Sequence, residues 1–168
     1  MIKYNKIILT LTLLASLLAA CSLTGKARLE SSAKNIIDEI NKALEETKKD
    51  VNTDAFTSTQ TGARVGGPKT RNAKIRIADL TIEFLKATEE EAITFKENGA
   101  GEDEFSEIYD LIYRTAEAIE KIGMQSMKQA VEGAAKENPK TTADGIIAIV
   151  KAMKAKVEKI KGKQTKDN

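Results

Sequence analysis

Residues 69–97 read KTRNAKIRIADLTIEFLKATEEEAITFKE, and the fold turns on how this stretch is spaced. Ala73, Ile77, Leu80, Phe84, Thr88, Ala92 and Phe95 recur at intervals of three and four, the period of one helical face. The spacing predicts a long amphipathic helix from about Lys69 to Glu97, ended by Asn98-Gly99-Ala100-Gly101.

The same period continues on both sides. Upstream, Ala33, Ile36, Ile37, Ile40, Ala43 and Leu44 predict a first helix from Leu29 to Asp50, with Ser31 and Ser32 as cap candidates. Between Val51 and Pro68 the pattern dissolves into VNTDAFTSTQTGARVGGP, a long loop that Phe56 is expected to pin down. Downstream, Phe105, Ile108, Tyr109, Ile112, Ala116 and Ile119 mark a third helix over Asp103–Lys121, with acidic residues at its positive N-terminal pole. Gly123 leads into a short fourth helix carrying Met124, Met127, Val131 and Ala134, which Glu137-Asn138-Pro139 stops. Thr141-Thr142 caps a fifth, with Ile146, Ile149, Val150, Met153, Val157 and Ile160 on one side. The methionines fall at core spacing and read as gap-fillers. The expected architecture is all-α: a five-helix antiparallel bundle with a long loop between helices one and two.

Composition narrows the chemistry. The chain has no His, no Trp and a single Cys, so an imidazole base, a His-ligated metal and a disulfide scaffold are all ruled out. Gly66-Gly67-Pro68 follows no apolar strand and makes no phosphate-binding loop. The carboxylates spread over helical faces as a solvated surface, so the reading is a protein that is not an enzyme and needs no cofactor.

The N-terminus carries its own message. Lys3 and Lys6 precede an uncharged apolar run, Ile7 to Leu18, followed by Leu18-Ala19-Ala20-Cys21. This is the layout of a secretory signal, and the run is short for a membrane span. The tetrad resembles the lipobox of bacterial lipoproteins, which makes residues 1–20 a removable signal peptide and Cys21 the lipid-bearing first residue of the mature chain. Buried methylenes give about 0.8 kcal/mol each, so two or more acyl chains hold permanently. Residues 21–28 read as a lipidated tether, 29–161 as the bundle and 162–168 as a basic tail.

Without residues 1–20, basic and acidic residues are equal in number, yet the charges are segregated. From Glu89 to Glu107 eight acids stand against Lys96 alone, whereas Lys151 to Asn168 holds seven lysines against Glu158 and Asp167. At about 100° per residue, Lys156, Lys159 and Lys163 share one edge of the fifth helix, and Lys154 and Lys161 line the other. Such faces often do no more than solubilise a helix. The alternative is a site for a linear polyanion, where lysines act as point charges and counterions are released. For a surface lipoprotein the polyanion is a sulfated polysaccharide and not nucleic acid.

Four segments carry a resemblance over essentially the whole mature chain: LTGKARLESSAKNIIDEI (23–40), DAFTSTQTG (54–62), AKIRIADLTIEFLKATEEEAITFKENGAGEDEFSEIYDLI (73–112) and ENPKTTADGIIAIVKAMKAKVEKI (137–160). They resemble the decorin-binding protein A family of the Lyme-disease spirochaetes. The resemblance implies a five-helix lipoprotein adhesin, lipid-anchored in the bacterial outer membrane at the cell surface. Its implied partners are decorin, bound through dermatan sulfate or chondroitin sulfate, and heparin-like glycosaminoglycans. It places three binding lysines at Lys74, Lys156 and Lys163, with Arg64, Lys69 and Arg71 as linker candidates. Arg76 and Lys159 complete the expected basic field. The linker GARVGGPKTR is shorter than in some members, and the tail ends soon after Lys166, departures that bear on glycosaminoglycan preference. A lipoprotein that grips a host protein surface (the decorin core, collagen or a complement factor) independently of glycan is the competing reading.

Overall fold

The computed structural model describes residues 25–46 and 67–165, and among these it has five helices and no strand. They are α1 (25–46), α2 (Gly67–Glu97), α3 (Glu102–Glu120), α4 (Met127–Glu137) and α5 (Ala143–Thr165). The all-α bundle read from the periodicity is therefore the observed one. The signal peptide, Cys21, Phe56, Arg64 and Lys166 lie outside the described residues.

The central pairing is α2 against α5, and its register is written in charge. Lys96 meets Asp144 at 2.9 Å, Glu89 meets Lys151 at 3.5 Å, and Asp79 meets Lys161 at 2.5 Å. Each step back along α2, first seven residues and then ten, is matched by the same step forward along α5. The helices are antiparallel and in constant register over most of their length. These exposed pairs contribute little energy individually; the apolar seam beneath them holds the helices together. Ile77, Phe84, Leu85, Ile149, Met153, Val157 and Ile160 are all buried there with α3 residues Ile108, Ile112 and Ile119. Three threonines also sit in this core. Thr81, Thr88 and Thr115 each satisfy the hydroxyl by donating to a carbonyl four residues back, at 2.7–2.8 Å.

The connections follow local chemistry. Gly99, at φ 72°, ends α2 in a left-handed turn. There the Ala100 N–H donates to the Phe95 carbonyl and the Gly99 N–H to that of Lys96, the paired bonds of a Schellman cap. Glu104 accepts the Gly101 N–H at 3.0 Å, and three acids in the first turn of α3 suit its dipole. Between α3 and α4, Gly123 and Ser126 both take positive φ. Met124, expected on the fourth helix, lies in this turn but is fully buried. Tyr113 donates to Glu132 at 2.8 Å and ties α4 to α3. Thr142 accepts the Gly145 N–H at 3.2 Å and caps α5, as the sequence suggested.

Two boundaries differ from expectation. The first helix is formed from residue 25, so residues 25–28 are not tether, and Ser31 and Ser32 lie inside the helix rather than at its cap. Tertiary contacts hold this extra turn: Lys26 pairs with Glu107 at 2.6 Å, Arg28 with Glu91 at 3.5 Å, and Leu29 is fully buried. At the other end α5 runs on to Thr165, so residues 162–165 belong to the helix and not to a tail. Gln164 continues the buried row Met153, Val157, Ile160, which gives the last turn a packed side.

Gly145 marks the tightest point of the α4–α5 turn. A Cβ there would lie 1.8 Å from the Pro139 carbonyl oxygen, whereas one at Gly133 meets nothing within 4 Å. Gly145→Ala is expected to destabilise the fold by about 1–3 kcal/mol through overpacking against backbone. Gly133→Ala is expected to stabilise it by up to ~1 kcal/mol through helix propensity. Denaturant melts of the two variants check both signs.

Candidate polyanion-binding site

The α2–α5 register locates the cations that the sequence singled out. On α5 the buried row Met153, Val157, Ile160 and Gln164 points inward. Lys161, on one edge of that row, is taken up by Asp79, and Lys151 by Glu89. Lys154, on the same edge, is half-buried. The opposite edge carries Lys156, half-buried, and Lys159 and Lys163, both exposed. Among the described residues no carboxylate pairs with Lys156 or Lys159. One edge of α5 is thus paired with acids of α2, whereas Lys156 and Lys159, on the other, meet no carboxylate among the described residues. Lys156 and Lys163 are two turns apart, about 10 Å along the axis.

Lys74 occupies a different environment. It stands on the inner face of α2 between Thr70 and Ala78, and only 2% of it is exposed. Burial pushes its pKa below the ordinary lysine value. By the register, Lys163 is level with Ile77, within one turn of Lys74, and Lys156 is level with Phe84, some 15 Å further along. The start of α2 does lie beside the end of α5, as a shared cleft requires. Lys74, however, meets this end of the bundle from inside rather than from a wet edge.

The remaining cations are dispersed. Arg76 does not join Lys74, because two residues along a helix turn the side chain through about 200°. It reaches α1 instead and pairs with Glu39. Lys69 lines the same α1–α2 groove, a space of about 290 Å³ bounded also by Glu39 and Glu46. In that groove both cations face carboxylates. Arg71, partly exposed, precedes Lys74 by three residues and stands about 60° from it around α2. Of the eight predicted cations, seven are described. Lys156, Lys159 and Lys163 form one flank, Lys74 lies buried at its end, and Lys69 and Arg76 turn to the α1–α2 groove.

Sequence reasoning did not anticipate that acids on α2 neutralise the Lys151 and Lys161 edge. The signal was present: Asp79, Glu89 and Lys96 are spaced as Lys161, Lys151 and Asp144 are, with opposite sign at each level. Antiparallel pairing of the two helices turns that spacing into a register.

A family model described as decorin binding protein matches residues 24–168. Decorin-binding protein A of Borreliella burgdorferi is 43% identical over 157 residues, covering 91% of this chain and 82% of that protein. Decorin-binding protein B of the same species is 35% identical, covering 99% and 91%. The chain is also similar to a solved structure of decorin binding protein A from Borrelia burgdorferi, with a TM-score of 0.66, 37% identity and coverage of 81% and 82%. A second, from Borrelia garinii, gives a TM-score of 0.58 at 44% identity, covering 83% and 86%.

The buried ammonium has a measurable signature. At pH values below the folded pKa of Lys74, folded and unfolded chains both hold the proton, and the desolvation cost is constant. Between that value and the ordinary 10.5 the unfolded chain binds more protons, so stability rises with pH. The stability of the wild type relative to Lys74→Met should therefore shift in the wild type's favour as pH climbs from the lowered folded value toward 10.5. Paired urea melts across this range check it; a flat difference means that burial does not govern the ammonium.

Proposed function

Since the chain belongs to the decorin-binding protein family, we propose that it is a lipid-anchored surface adhesin that captures decorin through the proteoglycan's dermatan or chondroitin sulfate chain. The observation that carries this reading is the flank of Lys156, Lys159 and Lys163. These cations line one helix edge about one turn apart, beside a bundle end that also holds Lys74. A linear polyanion laid along that edge meets successive ammonium groups and releases counterions from its own length. Long, flexible lysine stems suit a ligand whose sulfates vary in position, because each ammonium is a point charge with no fixed fork geometry. Related chains such as heparin satisfy the same chemistry.

Lys74 has a separate part in this reading. Burial lowers its pKa, and a sulfate bound at this end of the bundle favours the protonated form. The ligand is held and not transformed, and the named relatives are binding proteins. The family's decorin specificity, placed on this chain, makes proteoglycan the natural source of the polyanion. Many weak contacts along one glycan chain, and many copies per cell, raise avidity.

The anchor is part of the same proposal. No described helix is long and apolar enough to cross a membrane, and the lipobox at Leu18–Cys21 supplies acyl chains in its place. Cys21→Ala is expected to abolish incorporation of labelled palmitate and to lose the cell-surface protein. Palmitate labelling that persists in the variant contradicts the assignment of Cys21.

Binding itself is tested by a salt series on immobilised decorin, intact and after chondroitinase. The Lys74, Lys156 and Lys163 triple alanine variant is expected to lose retention on dermatan sulfate and heparin while keeping its helicity by circular dichroism. Lys159→Ala alone should weaken binding and lower the slope of log affinity against log salt by about 1. Retention that survives both the triple variant and removal of the glycan assigns the protein to the recognition of a protein surface instead.

A further inference from the structure

The chain enters the bundle at an end rich in acidic residues. α1 runs antiparallel to α2: Arg28 pairs with Glu91 and Glu39 with Arg76, so α1 advances as α2 recedes. The first turn of α1 therefore sits at the α2–α3 end. Lys26 reaches Glu107 at 2.6 Å, and the backbone of Gly25 lies so close to Glu91 that a Cβ would stand 2.1 Å from its carboxylate. Around this entry point Glu90, Glu97, Glu102 and Asp103 are all exposed, and among the described residues none of the four is paired with a cation. Ion pairing thus consumes Glu91 and Glu107 locally and leaves a surplus of negative charge on the surface.

The basic flank lies toward the other end. Lys163 is level with Ile77 and Glu91 is fourteen residues further along α2, an axial separation of about 21 Å. Cys21 precedes Gly25 by four residues, a reach of at most ~14 Å even when fully extended. An anchor at Cys21 consequently holds the acidic end, and not the basic flank, next to the lipid headgroups.

We infer that the acidic end of the bundle is a stand-off surface: it faces an anionic bilayer, is repelled by it, and keeps Lys156, Lys159 and Lys163 from adsorbing onto the membrane that carries the protein. This rests on the lipid at Cys21 and deepens the adhesin reading. A lysine-rich helix edge on a short tether is otherwise attracted to anionic headgroups by the forces that draw juxtamembrane polybasic segments to them. Charge–charge interactions are screened beyond about 8 Å at physiological salt, so the charges nearest the membrane decide the orientation. Here those charges are carboxylates. The polarity orients the rod with its cations outward, where a soluble polyanion reaches them.

The test uses the full lipidated chain in vesicles of phosphatidylcholine alone or of an equimolar mixture with phosphatidylglycerol. A fluorophore placed by Thr165→Cys at the basic end reports its distance to headgroup-labelled lipid by energy transfer. The wild-type sequence around the acidic end is expected to give low transfer on both vesicles. Neutralising that end with Glu97→Gln, Glu102→Gln and Asp103→Asn, three exposed changes whose folding is checked by thermal melting, should raise transfer on the anionic vesicles only, and high salt should reverse the rise. High transfer without these changes, or none gained with them, overturns the inference. A chain that does not float with vesicles refutes the anchor and the inference together. Loss of heparin binding by the soluble chain bears on the adhesin reading alone.

Discussion

Everything that matters for function in this bundle depends on the antiparallel seam between α2 and α5. Helices α2 and α5 bury their apolar stripes against each other and against α3, and three ion pairs at matched levels mark their register. A helix has a limited circumference. Once α5 commits one face to the core and one edge to the acids of α2, its remaining edge is left for solvent. Lys156, Lys159 and Lys163 lie on that edge, whereas Lys151 and Lys161 lie on the committed one. Around the helix, Lys156, Lys159 and Lys163 stand about 140–160° from Lys161.

The same seam explains why Lys74 is unlike its neighbours. It stands where α2 begins and α5 ends, on the face of α2 that the core claims, and it is desolvated as a result. A cation held in such a place carries a desolvation cost that an exposed lysine does not. Arg76, two residues on, is turned to α1 and pairs there. Proximity in sequence therefore says little about shared function on a helix, and angular position says most of it.

The helices were largely legible in the sequence because apolar spacing of three and four is a strong local signal. It located α2, α3 and α5 closely, and Thr142 as a cap. What was not legible depends on contacts across the fold. The first turn of α1 is held by Glu107, eighty-one residues away from Lys26, and no local pattern announces such a partner. The extension of α5 to Thr165 rests on packing of Gln164, a polar residue that periodicity does not count. For the candidate site, the flank of three lysines was visible from helical angles alone. The burial of Lys74 and the diversion of Lys69 and Arg76 toward the acids of α1 required the arrangement of neighbouring helices.

The central claim is that position on α5, and not lysine content, decides binding. It is tested most directly by comparing two variants that remove the same formal charge, measured against dermatan sulfate across a salt series. One replaces Lys156, Lys159 and Lys163 with alanine; the other replaces Lys151, Lys154 and Lys161. The account predicts that the first loses most of its affinity and its salt dependence, while the second stays close to the wild type. Equal losses in the two variants would contradict it, because the ligand would then be reading the net charge of the helix and not the flank that the seam leaves open.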